Sequence, residues 1–104
     1  MVYKTNTKLL DAVTSATDSS AINTSNYNFK EFNVQVTGNT GSVTVNIEGS
    51  PSGLFSGEED TFDTKTYTTN DVDTFSYEGS TRYMRATTTS QSASTVTVII
   101  VGSE

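Results

Sequence analysis

Cysteine and histidine are both absent from this 104-residue sequence. Without cysteine, no disulfide can staple the fold, and the redox compartment cannot be read from thiols. Without either residue, the chain lacks the commonest general base, the thiol nucleophile and the usual transition-metal ligands, which excludes most classes of enzyme. The sequence therefore predicts a protein that is not an enzyme and that has no cofactor.

Carboxylates are the remaining groups that could carry chemistry. Seven of the twelve acidic residues lie between Glu58 and Glu78, and such residues could in principle run glycoside hydrolysis or hold calcium. The spacing Asp60-x-x-Asp63 matches no calcium-loop signature, because Lys65 stands where an EF-hand loop needs glycine. We interpret this region as a solvated acidic surface and predict neither catalytic residues nor metal ligands.

Long apolar runs and clusters of basic residues are also missing. Residues 1–8 lack the apolar core of a signal peptide, and no run approaches the length that spans a membrane. Six basic residues stand against twelve acidic ones, for a net charge of −6, so nucleic acid is not an expected partner. We expect a protein that is made soluble in the cytoplasm and that binds neither membrane nor nucleic acid.

The chain does contain a regular alternation of apolar and polar residues. Between Asn28 and Glu48 an apolar residue recurs at every second position in two runs, and the positions between them are polar. This is the period of a strand with one buried face. Residues 37–41 between the two runs contain two glycines and an asparagine, which turn the chain tightly. The segment therefore predicts a β-hairpin and an all-β class.

Further strands are predicted on both sides of this segment, with turn residues at intervals of about ten residues. A short apolar run at residues 8–13 favours a strand over a helical turn, and the other predicted strands cover residues 61–68, 72–77, 82–88 and 95–101. Seven or eight short strands indicate a single antiparallel β-sandwich, of jelly-roll or immunoglobulin-like type. We predict one sandwich domain over residues 8–104, preceded by an extended N-terminal arm over residues 1–7.

The last predicted strand is apolar on both faces. Val96, Val98 and Ile100 face one way, while Ile99 and Val101 face the other. Such a strand is either central in its sheet or covered by another subunit.

Aromatic and arginine side chains leave alternatives open. Tyr67, Phe75, Tyr77 and Tyr83 could form a platform for sugar stacking, but tryptophan is absent and core packing is the favoured interpretation. Arg82 and Arg85 flank Tyr83 and Met84. Alternation gives Arg85 the face of Tyr83 and Arg82 the face of Met84. An inward-looking arginine in an acidic protein needs a carboxylate partner, either within the chain or in another subunit.

The order of these segments resembles a known class of proteins. The segments are Lys8-Leu9-Leu10-Asp11-Ala12, Phe32 to Gly38, Gly41 to Ser50, Thr81 to Arg85 and Ser94 to Val98. Read in this order, they resemble the small β-sandwich virion structural proteins of tailed bacteriophages, which include capsid decoration, or cement, proteins and tail-associated components.

The resemblance implies a protein on the outer capsid surface of the virion, present as a trimer and bound to the major capsid protein. An extended arm with Val2, Tyr3 and Lys4 would pair with a coat protein. Ile99 and Val101 would suit a trimer core. The predicted interaction residues are therefore Val2, Tyr3, Lys4, Arg82, Arg85, Ile99 and Val101. A tail or head-tail connector component and a carbohydrate-binding module are the alternatives.

Overall fold

The computed structural model describes residues 3–79 and 81–103, without the side chains of residues 3–5. Within these residues the chain forms eight strands and no helix, and hence no helix that could cross a membrane. The strands are β1 (Tyr3–Val13), β2 (Ile22–Asn23), β3 (Phe29–Thr37), β4 (Ser42–Ser50), β5 (Asp60–Tyr67), β6 (Asp71–Glu78), β7 (Tyr83–Ser92) and β8 (Thr95–Ser103).

The strands form two antiparallel sheets of four. Sheet I has the order β1-β8-β3-β6, and sheet II has the order β2-β7-β4-β5. Among these described strands, β4 and β5 are the one consecutive pair that is hydrogen-bonded, and every other connection crosses from one sheet to the other. This order is that of a jelly roll. The predicted all-β sandwich is confirmed, and of the two predicted types the chain adopts the jelly roll.

The predicted hairpin is wrong in its pairing. β3 lies in sheet I between β8 and β6, whereas β4 lies in sheet II between β7 and β5. Residues 38–41 therefore carry the chain from sheet I to sheet II, and Gly38 takes the positive φ of +56° that this sharp connection needs. The alternation correctly predicts one buried face for each strand. It is the same whether two strands pair edge to edge or face each other across a core.

The core lies between the inner faces of the two sheets. It is built from the alternate residues that the sequence marks as apolar, and β3, β4 and β8 supply most of them: Phe32, Val34, Val36, Val43, Val45, Ile47, Val96, Val98 and Ile100. β8 is a central strand of sheet I, flanked by β1 and β3. Its inner face packs in the core, while Ile99 and Val101 on its outer face are half-buried.

The N-terminal segment is part of the sandwich as far as the structure describes it. β1 pairs with β8 from Tyr3 opposite Ser103 to Val13 opposite Val96. The predicted boundary between an arm and the domain, after residue 7, therefore falls inside β1. Val2, predicted to belong to the arm, lies outside the described residues.

Close packing at the connection between β3 and β4 gives a testable result. A Cβ added to Gly41 would overlap the backbone carbonyl oxygen of Ser92, and Thr40 N donates to Ala93 O at 2.9 Å in the same contact. We expect Gly41→Ala to lower the free energy of unfolding by about 1–3 kcal/mol, because the backbone must shift to make room. Urea titration measures this loss. Thr40→Ala, at the exposed neighbouring position, is the control and should stay within about 0.5 kcal/mol.

Candidate functional site

The predicted interaction residues do not form one site. Ile99 and Val101 lie on β8 of sheet I, beside the start of β1 that contains Tyr3 and Lys4. Arg85 lies on β7 of sheet II, and Arg82 immediately precedes that strand. The two groups therefore belong to different sheets.

The outer face of sheet I carries an apolar patch. Ile99 and Val101 point away from the core and are half-buried. In the neighbouring strand β3, Asn33 pairs with Ile99 and Glu31 with Val101. Phe29 is on the same face and is 36% exposed. Sequence reasoning missed Phe29, although its odd-numbered position in β3 places it opposite to the buried Phe32.

A pocket of about 160 Å³ opens at one end of this face. We call it the Phe29 pocket; its lining includes Phe29, Glu31, Ser76, Glu78, Val101 and Ser103. Glu78 is paired with Phe29 across the strands, and Ser76 with Glu31. Neither Glu31 nor Glu78 has a cationic partner among the side chains that the structure describes. The pocket thus combines an exposed aromatic ring with two unpaired carboxylates.

Lys30 and Tyr77 complete the lining of this pocket, although the side chain of Lys30 belongs to the inner face. Lys30 shares the inner face of β3 with Phe32, and its side chain is only 1% exposed. Its Nζ donates to the carbonyl oxygen of Gly79, and burial lowers the pKa of the ammonium group. Because the cation is held inside the sandwich, it does not pair with Glu31 or Glu78 on the outer face.

Arg85 is held by partners from its own chain. Its Nε donates to Glu48 Oε1 on the adjacent strand β4 at 2.7 Å, and Asp18 lies 3.8 Å from its NH1. The guanidinium also lies over the ring of Phe55, with 4.4 Å from its carbon to the ring centroid. Of the two interpretations of Arg85, the structure shows the intrachain ion pair. Its predicted role in contacting another protein stays a prediction.

The loop between β4 and β5 makes this contact with Arg85 possible. Residues 51–59 fold over the outer face of sheet II, where Gly53 adopts a φ of +83°. A Cβ on Gly53 would lie 3.2 Å from the ring of Tyr83. Glycine therefore serves both the backbone conformation and the close approach, and Phe55 reaches Arg85 as a result.

Arg82 differs from Arg85 in its surroundings. It lies outside β7, so the alternation that places Met84 in the core does not extend to it, and its side chain is exposed. Its backbone carbonyl accepts a hydrogen bond from Thr24 N at 2.9 Å. The predicted sharing of a face with Met84 is therefore wrong.

Two tyrosines tie the sheets together at one edge of the sandwich. Tyr67 of β5 donates to Asp73 of β6 at 3.0 Å, and Tyr77 of β6 donates to Asp63 of β5 at 2.5 Å. Burial raises the pKa of both hydroxyls, and the hydrogen bonds to the carboxylates add to the effect. Lys65 also bonds Asp73, which lowers the pKa of that carboxyl.

The aromatic residues considered for sugar stacking do not share an exposed face. Tyr67 is part of the core, and Phe75 and Tyr77 pack against it. Tyr83 lies beneath Gly53. The favoured interpretation, that these rings serve in packing, agrees with this arrangement.

The acidic residues between positions 58 and 78 make separate contacts within the chain. Asp63 and Asp73 accept the tyrosine hydrogen bonds, while Glu58 accepts from Ser52 Oγ at 3.0 Å and Glu59 from Gly57 N at 3.0 Å. Within residues 3–79 and 81–103, no three acidic side chains come together in a group that could hold a metal ion.

Comparison with known proteins gives a likeness among solved structures. No protein-family model matches the chain, and a search of curated proteins finds no match. Among solved structures, the chain is similar to the SPBc2 prophage-derived protein YomS, with a TM-score of 0.65 and 11% sequence identity. The match covers 99% of this chain and 96% of the other. The two proteins thus share one fold over nearly their entire lengths.

Proposed function

We propose that this chain is a structural, non-enzymatic protein of a tailed-bacteriophage virion. Its specific role is that of a capsid decoration protein, which binds the major capsid protein on the outer surface and stabilises the shell. The observation that carries the proposal is the jelly roll shared almost end to end with a prophage-derived protein. The residue pattern described above, which resembles small phage virion proteins, supports the same role.

The chemistry of the described side chains is consistent with this proposal. Carboxylates with close partners act in cross-links within the sandwich, as in Tyr77–Asp63 and Arg85–Glu48. The outer face of sheet I, in contrast, presents apolar and acidic side chains that have no such role. A protein that works by contact needs a surface of this kind rather than a reactive centre.

Decoration would stabilise the shell by mass action. A protein that binds the assembled lattice but not the separated coat subunits shifts the equilibrium toward the lattice, and the effect grows with its free concentration. We propose that the protein acts as a homotrimer, in which Ile99 and Val101 on the outer face of sheet I lie at the contact between copies.

The test uses empty capsids that have been stripped of, or assembled without, this protein. We expect saturable co-sedimentation of the purified protein with these capsids, together with a higher temperature of capsid disruption. Val101→Glu should weaken binding, while Ser56→Glu, which adds the same charge at an exposed position of the 51–59 loop, should not. Absence of co-sedimentation at saturating protein would refute the decoration role. Rings or tubes formed by the protein alone would then favour a tail component.

A further inference from the structure

Almost all of the basic side chains that the structure describes have a hydrogen-bond or ion-pair partner within the chain. Of the five whose side chains the structure describes, four have an acceptor: Lys8 with Asp11, Lys30 with Gly79 O, Lys65 with Asp73 and Arg85 with Glu48. The fifth, Arg82, is exposed and has no carboxylate partner within the described residues.

The Phe29 pocket, in contrast, has carboxylates without paired cations. Glu31 and Glu78 are diagonal neighbours on adjacent strands, because Glu31 is paired with Ser76 and Glu78 with Phe29. Both line the pocket and have no ion-pair partner among the described side chains. Lys30 also lines the pocket, but its Nζ donates to Gly79 O. The volume of about 160 Å³ is close to that of a cavity that holds one benzene molecule, roughly 150 Å³. Pockets for larger small-molecule ligands run to roughly 300–1,000 Å³. The pocket therefore fits a single side chain.

The chain itself shows which side chain this combination suits. On sheet II, Arg85 lies 4.4 Å from the centroid of a phenylalanine ring and 2.7 Å from a carboxylate oxygen. A planar guanidinium can stack on an aromatic ring while its edge donates to carboxylates, which a compact ammonium group does less well. The Phe29 pocket offers a ring and two carboxylates, with the arginine missing.

We propose that Arg82 of one copy of this chain enters the Phe29 pocket of a second copy. The guanidinium lies between Glu31 and Glu78 and against the ring of Phe29. Within one copy, Arg82 does not line this pocket: it leads into β7 of sheet II, and the pocket is on the outer face of sheet I. Because Arg82 is not part of the lining in its own copy, we assign the contact to a second copy.

A contact between two different patches is heterologous, and it gives a closed ring where the rotation between copies closes and an open filament where it does not. In the closed form it supplies a specific contact for the homotrimer of the proposed function. The inference builds on that oligomer but not on capsid binding. A central arginine in a largely desolvated pocket is a typical dominant contributor to an interface.

The experiment measures the mass of the protein by light scattering across a dilution series. We expect wild type to form a discrete oligomer, and Arg82→Glu and Glu31→Arg each to dissociate at least 100-fold more readily. The double variant R82E/E31R restores the opposite charges in exchanged positions and should recover the oligomer. R82E/D60R carries the same net charge, but Asp60 is exposed outside the pocket, so this control should remain dissociated. Circular dichroism checks that each variant is folded.

Several outcomes would overturn the inference. These are a monomeric wild type at all concentrations, an oligomer insensitive to R82E, or a double variant that stays dissociated. If E31R instead abolished binding to capsids and left the oligomer intact, the pocket would hold a basic side chain of the coat protein, and the assignment to Arg82 would be wrong. A monomer that binds capsids would refute this contact and leave the decoration role standing. An oligomer that depends on Arg82 but does not bind capsids would support this contact and refute the decoration role.

Discussion

Replacing Phe32 with alanine is expected to lower the free energy of unfolding by about 3–5 kcal/mol. Phe32 is fully buried in β3, the strand of sheet I between β8 and β6. Its ring meets that of Tyr77 edge to face, with 5.8 Å between centroids. The substitution removes this contact and leaves a cavity between two sheets whose backbones cannot close the gap.

Phe29→Ala is the matched control for this prediction. It removes the same side chain three residues earlier in the same strand, but from the outer face, where the ring is 36% exposed. Its effect on unfolding is expected to be about 0.5 kcal/mol or less. Urea unfolding measures both variants at a protein concentration where wild type is monomeric. Similar losses for Phe29→Ala and Phe32→Ala would contradict the assignment of inner and outer faces.

Raising the pH above 10 is expected to destabilise the protein steeply. The hydroxyls of Tyr67 and Tyr77 have pKa values raised above the ordinary value of 10.0, first by burial and then by their hydrogen bonds to Asp73 and Asp63. Above pH 10 the unfolded chain loses these protons while the folded chain keeps them. The unfolded state then binds fewer protons, so the free energy of unfolding falls as the pH rises, by at most about 1.4 kcal/mol per pH unit for each tyrosine.

Lys30 has the opposite effect on stability over a limited range of pH. Burial lowers the pKa of Lys30 in the folded state, so the unfolded state binds the extra proton and stability rises with pH until the unfolded lysine titrates near its ordinary value of 10.5. The fall in stability should therefore be steepest above that pH.

Urea titrations from pH 9 to about pH 11.5 test this prediction. The double variant Y67F/Y77F should flatten the alkaline decline. Tyr27→Phe, whose hydroxyl makes no hydrogen bond within the described residues, should leave the decline unchanged. An equally steep decline in Y67F/Y77F would contradict the role of the two Tyr–Asp bonds.

The sequence predicts the strands of this fold far better than their partners. Alternation in β3 and β4 identifies which residues are buried, since one face of each strand meets the core. It carries no information on whether a connection such as residues 38–41 turns within one sheet or crosses between two. A strand that is apolar on both faces is either central in its sheet or covered by another subunit, and β8 is central in sheet I.

The candidate site was predictable only in part. Ile99 and Val101 stand out in the sequence as a second apolar face. Phe29 does not, because its partners Glu78 and Ser103 are distant in the chain and become neighbours through strand pairing. Lys30 also escapes sequence reasoning, since a charged residue in phase with Phe32 is read as the solvated end of a strand. Its burial depends on the position of the Gly79 carbonyl, which only the fold provides.

The pairing of the first strand with the last has a consequence for how the protein is made. β1 has β8 as its one neighbour within the described sheet, and residues 14–94 separate them in the chain. At ordinary rates of translation this interval takes the ribosome roughly 4–16 s. During that time β1 emerges without its partner, so sheet I can close only after the end of β8 leaves the ribosomal tunnel. A nascent chain that stalls before β8 therefore leaves an unpaired strand open to association with others.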